Sequence, residues 1–106
     1  MLSKVTTENN AKSIPSPVRF QLGRIYVTPG AIDALEDAGE SAQDFINRHA
    51  RLEKGELCDD DYKENLFSVD KFLRIFSAFK TANGIKIWLI TEADRSSTTI
   101  LLPSEY

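Results

Sequence analysis

The residue pattern predicts an α+β domain, with two to three short N-terminal helices packed on a small C-terminal antiparallel sheet. Two observations carry this reading. Helical spacing with capping residues runs from Thr28 to about Phe67, and β-prone residues around an Asn83-Gly84 turn dominate after Lys71. At 106 residues the chain is long enough for one core and too short for two.

Thr28-Pro29 opens the first helix: the threonine oxygen accepts an orphan N–H, and proline costs nothing at the first helical position. Ile32 and Leu35 share a face, and Gly39 supplies the left-handed stop. Ser41 with Asp44 approximates a capping box for a second helix. Phe45, Ile46, His49 and Leu52 then recur at helical spacing until Gly55. A third helix starts within Asp59-Asp60-Asp61, where carboxylates suit the positive end of the dipole, and carries Tyr62, Leu66 and Phe67 toward the core. Phe72 to Phe79 reads as a strand, and Asn83-Gly84 as a hairpin turn whose residues both accept positive φ. Ile85 to Thr91 is the return strand, and Thr98 to Leu102 a third strand closed by Pro103. Residues 18–27 are a candidate fourth strand. Met1 to Pro17, polar and ending in Ile14-Pro15-Ser16-Pro17, reads as a flexible arm ahead of a single domain over 18–106.

Composition excludes several classes of function. A single cysteine, Cys58, cannot form an internal disulfide, and with one histidine it cannot build a structural zinc site. The triple aspartate fails as a calcium loop, because Glu64 and Asp70 stand where Gly and Glu are needed. No cofactor or metal is therefore expected. The longest apolar runs, Ile87 to Ile90 and Ile100 to Pro103, are too short to span a bilayer, and the first thirty residues lack a secretory core. A cytoplasmic, non-membrane protein is expected.

Charge is unevenly distributed. Met1 to Thr28 carries a balance of +3, and the remainder from Asn65 carries +1. Between them, Pro29 to Glu64 holds eleven acids against Arg48, Arg51, Lys54 and Lys63, a balance of −7. An acidic helical face points to a protein partner and away from coating nucleic acid.

Two constellations are chemically suggestive. His49 is the only group whose ordinary pKa lies near neutrality. The segment Thr91 to Thr99 gathers Glu92, Asp94, Arg95 and five hydroxyls between two strands, so Thr91, Glu92, Asp94, Arg95, Ser97 and Thr98 form a candidate anion-binding site. The competing reading is a turn whose polar side chains cap their own backbone.

The stretch Ile87 to Tyr106, centred on Thr91-Glu92-Ala93-Asp94-Arg95-Ser96-Ser97-Thr98-Thr99-Ile100-Leu101-Leu102-Pro103, resembles the closing signature of a family of small plasmid-related proteins. Leu22-Gly23-Arg24, Thr28-Pro29-Gly30-Ala31 and Arg48-His49 extend the resemblance. It implies a bacterial plasmid or integrative-element setting and an α+β domain, without implying an activity. The chain departs from the family at Glu53-Lys54-Gly55-Glu56-Leu57, where a Gly-Asp-Trp-Gly-like turn is usual. At the level of fold alone, a histidine-bearing helix before a sheet ending in Thr99-Ile100-Leu101-Leu102-Pro103 also resembles the barnase and RelE-like ribonucleases. That likeness implies His49 as acid or base, Arg74 or Arg95 on phosphate, and Thr99 orienting it.

Three functions follow as expectations. The first is a non-enzymatic accessory protein docking on a protein partner through its acidic helical face. The second is ribonuclease-like RNA cleavage. The third is a DNA-binding regulator, for which no helix-turn-helix with a basic recognition helix is visible.

Overall fold

A computed structural model describes residues 19–106. The arm read at Met1 to Pro17 lies outside the described residues. From Arg24 the chain forms β1 (Arg24–Val27), α1 (Pro29–Ala38), α2 (Ala42–Ala50), α3 (Asp59–Lys71), β2 (Ile75–Lys80), β3 (Lys86–Thr91) and β4 (Ser97–Leu101), then a 3-10 turn at Pro103–Glu105. This is the expected α+β arrangement. The last three strands form the antiparallel meander, and β1 adds a fourth strand parallel to β4, giving the order β1-β4-β3-β2.

The helix caps follow local chemistry. Thr28 Oγ1 accepts from the Ala31 N–H at 3.3 Å, and Gly39 ends α1 at φ 67°. Thr28 also donates to Glu105, whose other oxygen accepts from the Gly30 N–H at 2.9 Å. These bonds, with the Leu102 N–H, hold the Glu105 carboxyl below the usual carboxylate range and tie the end of the sheet to the start of α1. Thr28→Ala is expected to lower stability by about 1 kcal/mol in urea unfolding, the usual effect of losing a cap. A change below a few tenths would show that the cap is replaced by solvent.

Four details correct the sequence reading. In α1 it is Ala31, Ala34 and Leu35 that are buried, while Ile32 is 43% exposed. Ser41 caps the Gln43 N–H rather than forming a box with Asp44. The second helix stops at Ala50, well before Gly55, because Leu52 takes the left-handed conformation (φ 58°) and turns its side chain inward. In the hairpin only Gly84, and not Asn83, has positive φ.

The largest correction concerns α3. Tyr62 does face inward and donates to the Leu52 carbonyl at 2.8 Å. Leu66 and Phe67 do not, being 38% and 53% exposed, and the buried residues are Asn65 and Ser68. Asn65 explains the rotation. Its side chain accepts from the Phe76 N–H at 3.0 Å and donates to the Phe76 carbonyl, sealing part of the free edge of β2. The Glu56 N–H closes on the Ala78 carbonyl at 2.7 Å, covering more of that edge.

Strand alternation sorts the sheet into two faces. Beneath the helices lie Ile87, Leu89 and Ile100, fully buried with Phe79, Phe45, Ile46, Leu35 and Ala31 in the main core. A smaller cluster of Phe20, Leu52 and Ile75 continues it toward the start of the domain. The opposite face carries Trp88, Ile90, Phe76, Thr99 and Tyr26, and among the described residues the 3-10 turn with Tyr106 folds back over it.

Candidate functional site

His49 lies on the inner face of α2 and has no exposed surface. Its Nδ1 is 2.6 Å from Ser77 Oγ and its Nε2 is 2.8 Å from Thr91 Oγ1. Thr91 Oγ1 lies 2.6 Å from Thr98 Oγ1, which donates to the Leu22 carbonyl at 2.8 Å. The final acceptor fixes the protons of this chain back to His49 Nε2. Thr98 has only one O–H, and the Leu22 carbonyl takes it, so Thr91 must donate to Thr98. Thr91 then accepts from His49 Nε2–H, and because burial keeps the ring neutral Nδ1 carries no proton and accepts from Ser77. The imidazole is thus a neutral Nε2–H tautomer with both nitrogens satisfied. Phe20 stands edge-on to the ring at 5.1 Å between centroids. Burial lowers the His49 pKa to about 3. A group this buried and this neutral bridges α2 to three strands and to the segment before β1, closed off from solvent.

Arg95 is also inward-facing. Its Nη1 donates to the carbonyls of Leu73 (2.7 Å), Ala93 (3.0 Å) and Glu92 (3.1 Å), and its Nη2 to Ser68 (3.0 Å) and Val69 (3.5 Å). Ser68 and Val69 belong to the last turn of α3, whose carbonyls and negative dipole end attract a cation. Phe20 and Phe72 flank the guanidinium at 5.9 and 5.3 Å. Burial lowers the Arg95 pKa. The turn that projects Arg95 inward demands a glycine opposite: Gly23 sits at φ 67°, and a Cβ there would enter the backbone of Arg95 and Ser96.

The candidate anion site is therefore not assembled. Thr91 and Thr98 are fully buried under the sheet in the His49 chain. Arg95 is committed to carbonyls. Asp94 caps the Ser96 N–H at 3.0 Å, as the capping reading anticipated. Glu92 pairs with Arg74 at 3.5 Å, and Ser97, half-buried, starts β4 on the open side. Consecutive strand residues alternate faces, so proximity in sequence did not bring these groups together.

The ribonuclease constellation is not assembled either. Thr99 pairs with Ile90 and Tyr26 on the open face, opposite His49 beneath the sheet. Arg74 lies on the open side beside Tyr106, 3.3 Å from its hydroxyl. His49, Arg74, Arg95 and Thr99 share no pocket, and this set carries no acid–base chemistry. Cys58 is exposed and stands before α3 without a side-chain bond to the helix. Among the described residues no group of three or more His, Cys, Asp or Glu side chains could hold a metal ion. No helix there is long and apolar enough to cross a membrane.

Two further surfaces stand out. One is the outer side of α3 and its C-terminal turn, where Leu66, Phe67, Phe72 and Leu73 are 38%, 53%, 67% and 46% exposed. The other is the open face of the sheet, with a cavity of about 310 Å³ bounded by Arg74, Phe76, Trp88, Ile90 and Tyr106. The signal for the first was present: Asn65 and Ser68 at i, i+3 compete with Leu66 and Phe67 for the inner stripe.

No protein-family model, no curated protein and no solved structure matches the chain.

Proposed function

We propose that this chain is a non-enzymatic accessory protein of a bacterial mobile element, acting by docking on a protein partner through its acidic helical layer. The docking surface is the outer side of α3. The observation that carries this reading is the inverted burial of that helix, which hides Asn65 and Ser68 and presents Leu66 and Phe67 to solvent. Asp59, Asp60, Asp61, Glu64 and Asp70 lie on the same helix, so the partner offers an apolar groove with a basic rim.

Phe72 supports the reading independently. It occupies the left-handed position after α3 at φ 54°, where glycine is the favoured residue, and it is 67% exposed. A phenylalanine there costs about 1 kcal/mol of backbone strain relative to glycine, partly offset by its contact with Arg95. An aromatic kept exposed at a strained position is explained by a surface role. Phe72→Gly is expected to change stability by no more than about 1 kcal/mol in urea unfolding.

The experiment is site-specific photo-crosslinking in the host from positions 67 and 72, with position 43 on α2 as control. One discrete adduct from 67 and 72, absent from 43 and abolished by Phe67→Asp, is expected. Equal or absent adducts at all three positions would defeat the proposal.

A further inference from the structure

The open face of the sheet is organised in cross-strand rows. One row runs Tyr26, Thr99, Ile90, Phe76 across all four strands, and the next runs Leu101, Trp88, Ala78. Cations close both ends. Beyond the first row Arg24 pairs with Ser97 on β4, and Arg74 stands immediately before β2; beyond the second, Lys86 and Lys80 face each other. From Arg74 to Lys80 the strand spans about 20 Å.

The aromatic rings between these cations are partly open. Tyr26 and Tyr106 are 51% and 71% exposed, and Trp88 is half-buried, edge-on to both Phe76 (5.0 Å) and Tyr106 (5.8 Å). The cavity bordered by Phe76, Trp88 and Tyr106 has an apolar floor at Ile90. Tyr26 lies two strands from Ile90, about 10 Å away, and so offers a second platform beside the cavity. Among the described residues Arg24 and Lys86 form no ion pair, while Arg74 and Lys80 each meet one carboxylate, Glu92 and Glu56. The acidity that argued against nucleic acid resides mainly in residues 29–64, which supply the helices and the loop before α3.

We infer that the open sheet face binds a single-stranded polynucleotide, its bases stacking on Tyr26 and in the Trp88–Tyr106 cavity and its phosphates meeting Arg24, Arg74, Lys80 and Lys86. Charge complementarity selects this occupant: partly exposed aromatic rings over a buried floor of Ile90, Leu101 and Ala78, bracketed by cations about 20 Å apart, match a chain that alternates flat π-surfaces with regularly spaced anions. A duplex hides its base faces and cannot use the rows. The surface is separate from the α3 docking side, so either can fail without the other.

Trp88 is the only tryptophan, so its fluorescence reports on the site. Twelve-nucleotide oligo-dT and oligo-rU are titrated into the full chain, with a twelve-base-pair duplex as control. Quenching of Trp88 by at least one single strand is expected, with a log–log salt slope of about −2 to −3 from four cations. Tyr26→Ala is expected to weaken binding about tenfold, and Arg24→Glu with Lys86→Glu to weaken it further. Phe67→Asp is expected to leave it unchanged. Saturable quenching by dT alone or rU alone supports the site and identifies the source of the strand. No quenching by either strand, equal binding of the duplex, or indifference to Arg24→Glu with Lys86→Glu overturns the inference.

Discussion

His49→Ala is expected to destabilise the domain by about 4 kcal/mol in urea unfolding at pH 7, the upper part of the range for emptying a buried site. The ring is fully buried, and its removal leaves Ser77 Oγ without the acceptor it donates to and Thr91 Oγ1 without its donor. Such a loss is a large fraction of the stability of a domain this size. A companion pH arm isolates the same residue, because the chain has one histidine. The folded pKa of about 3 lies below the unfolded value of 6.5, so the unfolded chain takes up a proton that the folded chain refuses. The stabilisation is complete above roughly pH 6.5 and falls by about 1.4 kcal/mol per pH unit until the folded value is approached. Between pH 7 and 5 the wild type is expected to lose about 2 kcal/mol, and His49→Leu almost none. A flat wild-type profile over that range would mean that the ring is neither buried nor neutral.

Arg95→Met is expected to cost about 3 kcal/mol, because five backbone carbonyls lose their shared donor while a side chain of similar length keeps the packing. Arg95→Lys should rescue little of it. An ammonium is a point donor and cannot span carbonyls from α3, the Leu73 segment and the Glu92–Ala93 turn at once. Hydrogen exchange should show the last turn of α3 opening in both variants while the β3–β4 ladder stays protected. A lysine variant as stable as the wild type would reduce the clamp to a simple charge–dipole contact.

These two residues illustrate where sequence reasoning succeeds and where it stops. His49 was recognisable as lying on the buried side of α2, since Phe45, Ile46 and His49 recur at helical spacing. Its partners were not recognisable, because Ser77, Thr91 and Thr98 come from three strands whose register no local signal states. Arg95 was singled out as an anion ligand on residue type. Its left-handed backbone, at φ 62°, turns it inward to the end of α3 instead. The segment Thr91 to Thr99 looked like one site and is three: a buried hydroxyl chain, an inward clamp and an exposed edge.

Local chemistry along the chain was enough for the α+β class, the caps at Thr28, Gly39 and Ser41, and the meander after Lys71. Each of these depends on interactions within a few residues, or on a periodicity that local geometry imposes. Which side of α3 faces outward was not legible there, because that choice turns on Asn65 reaching the edge of β2 eleven residues further on. Pairing across the sheet likewise gathered Arg24, Arg74, Lys80 and Lys86 with the aromatics on the face away from the helices, since the sidedness of a strand residue is not fixed by its neighbours in the chain.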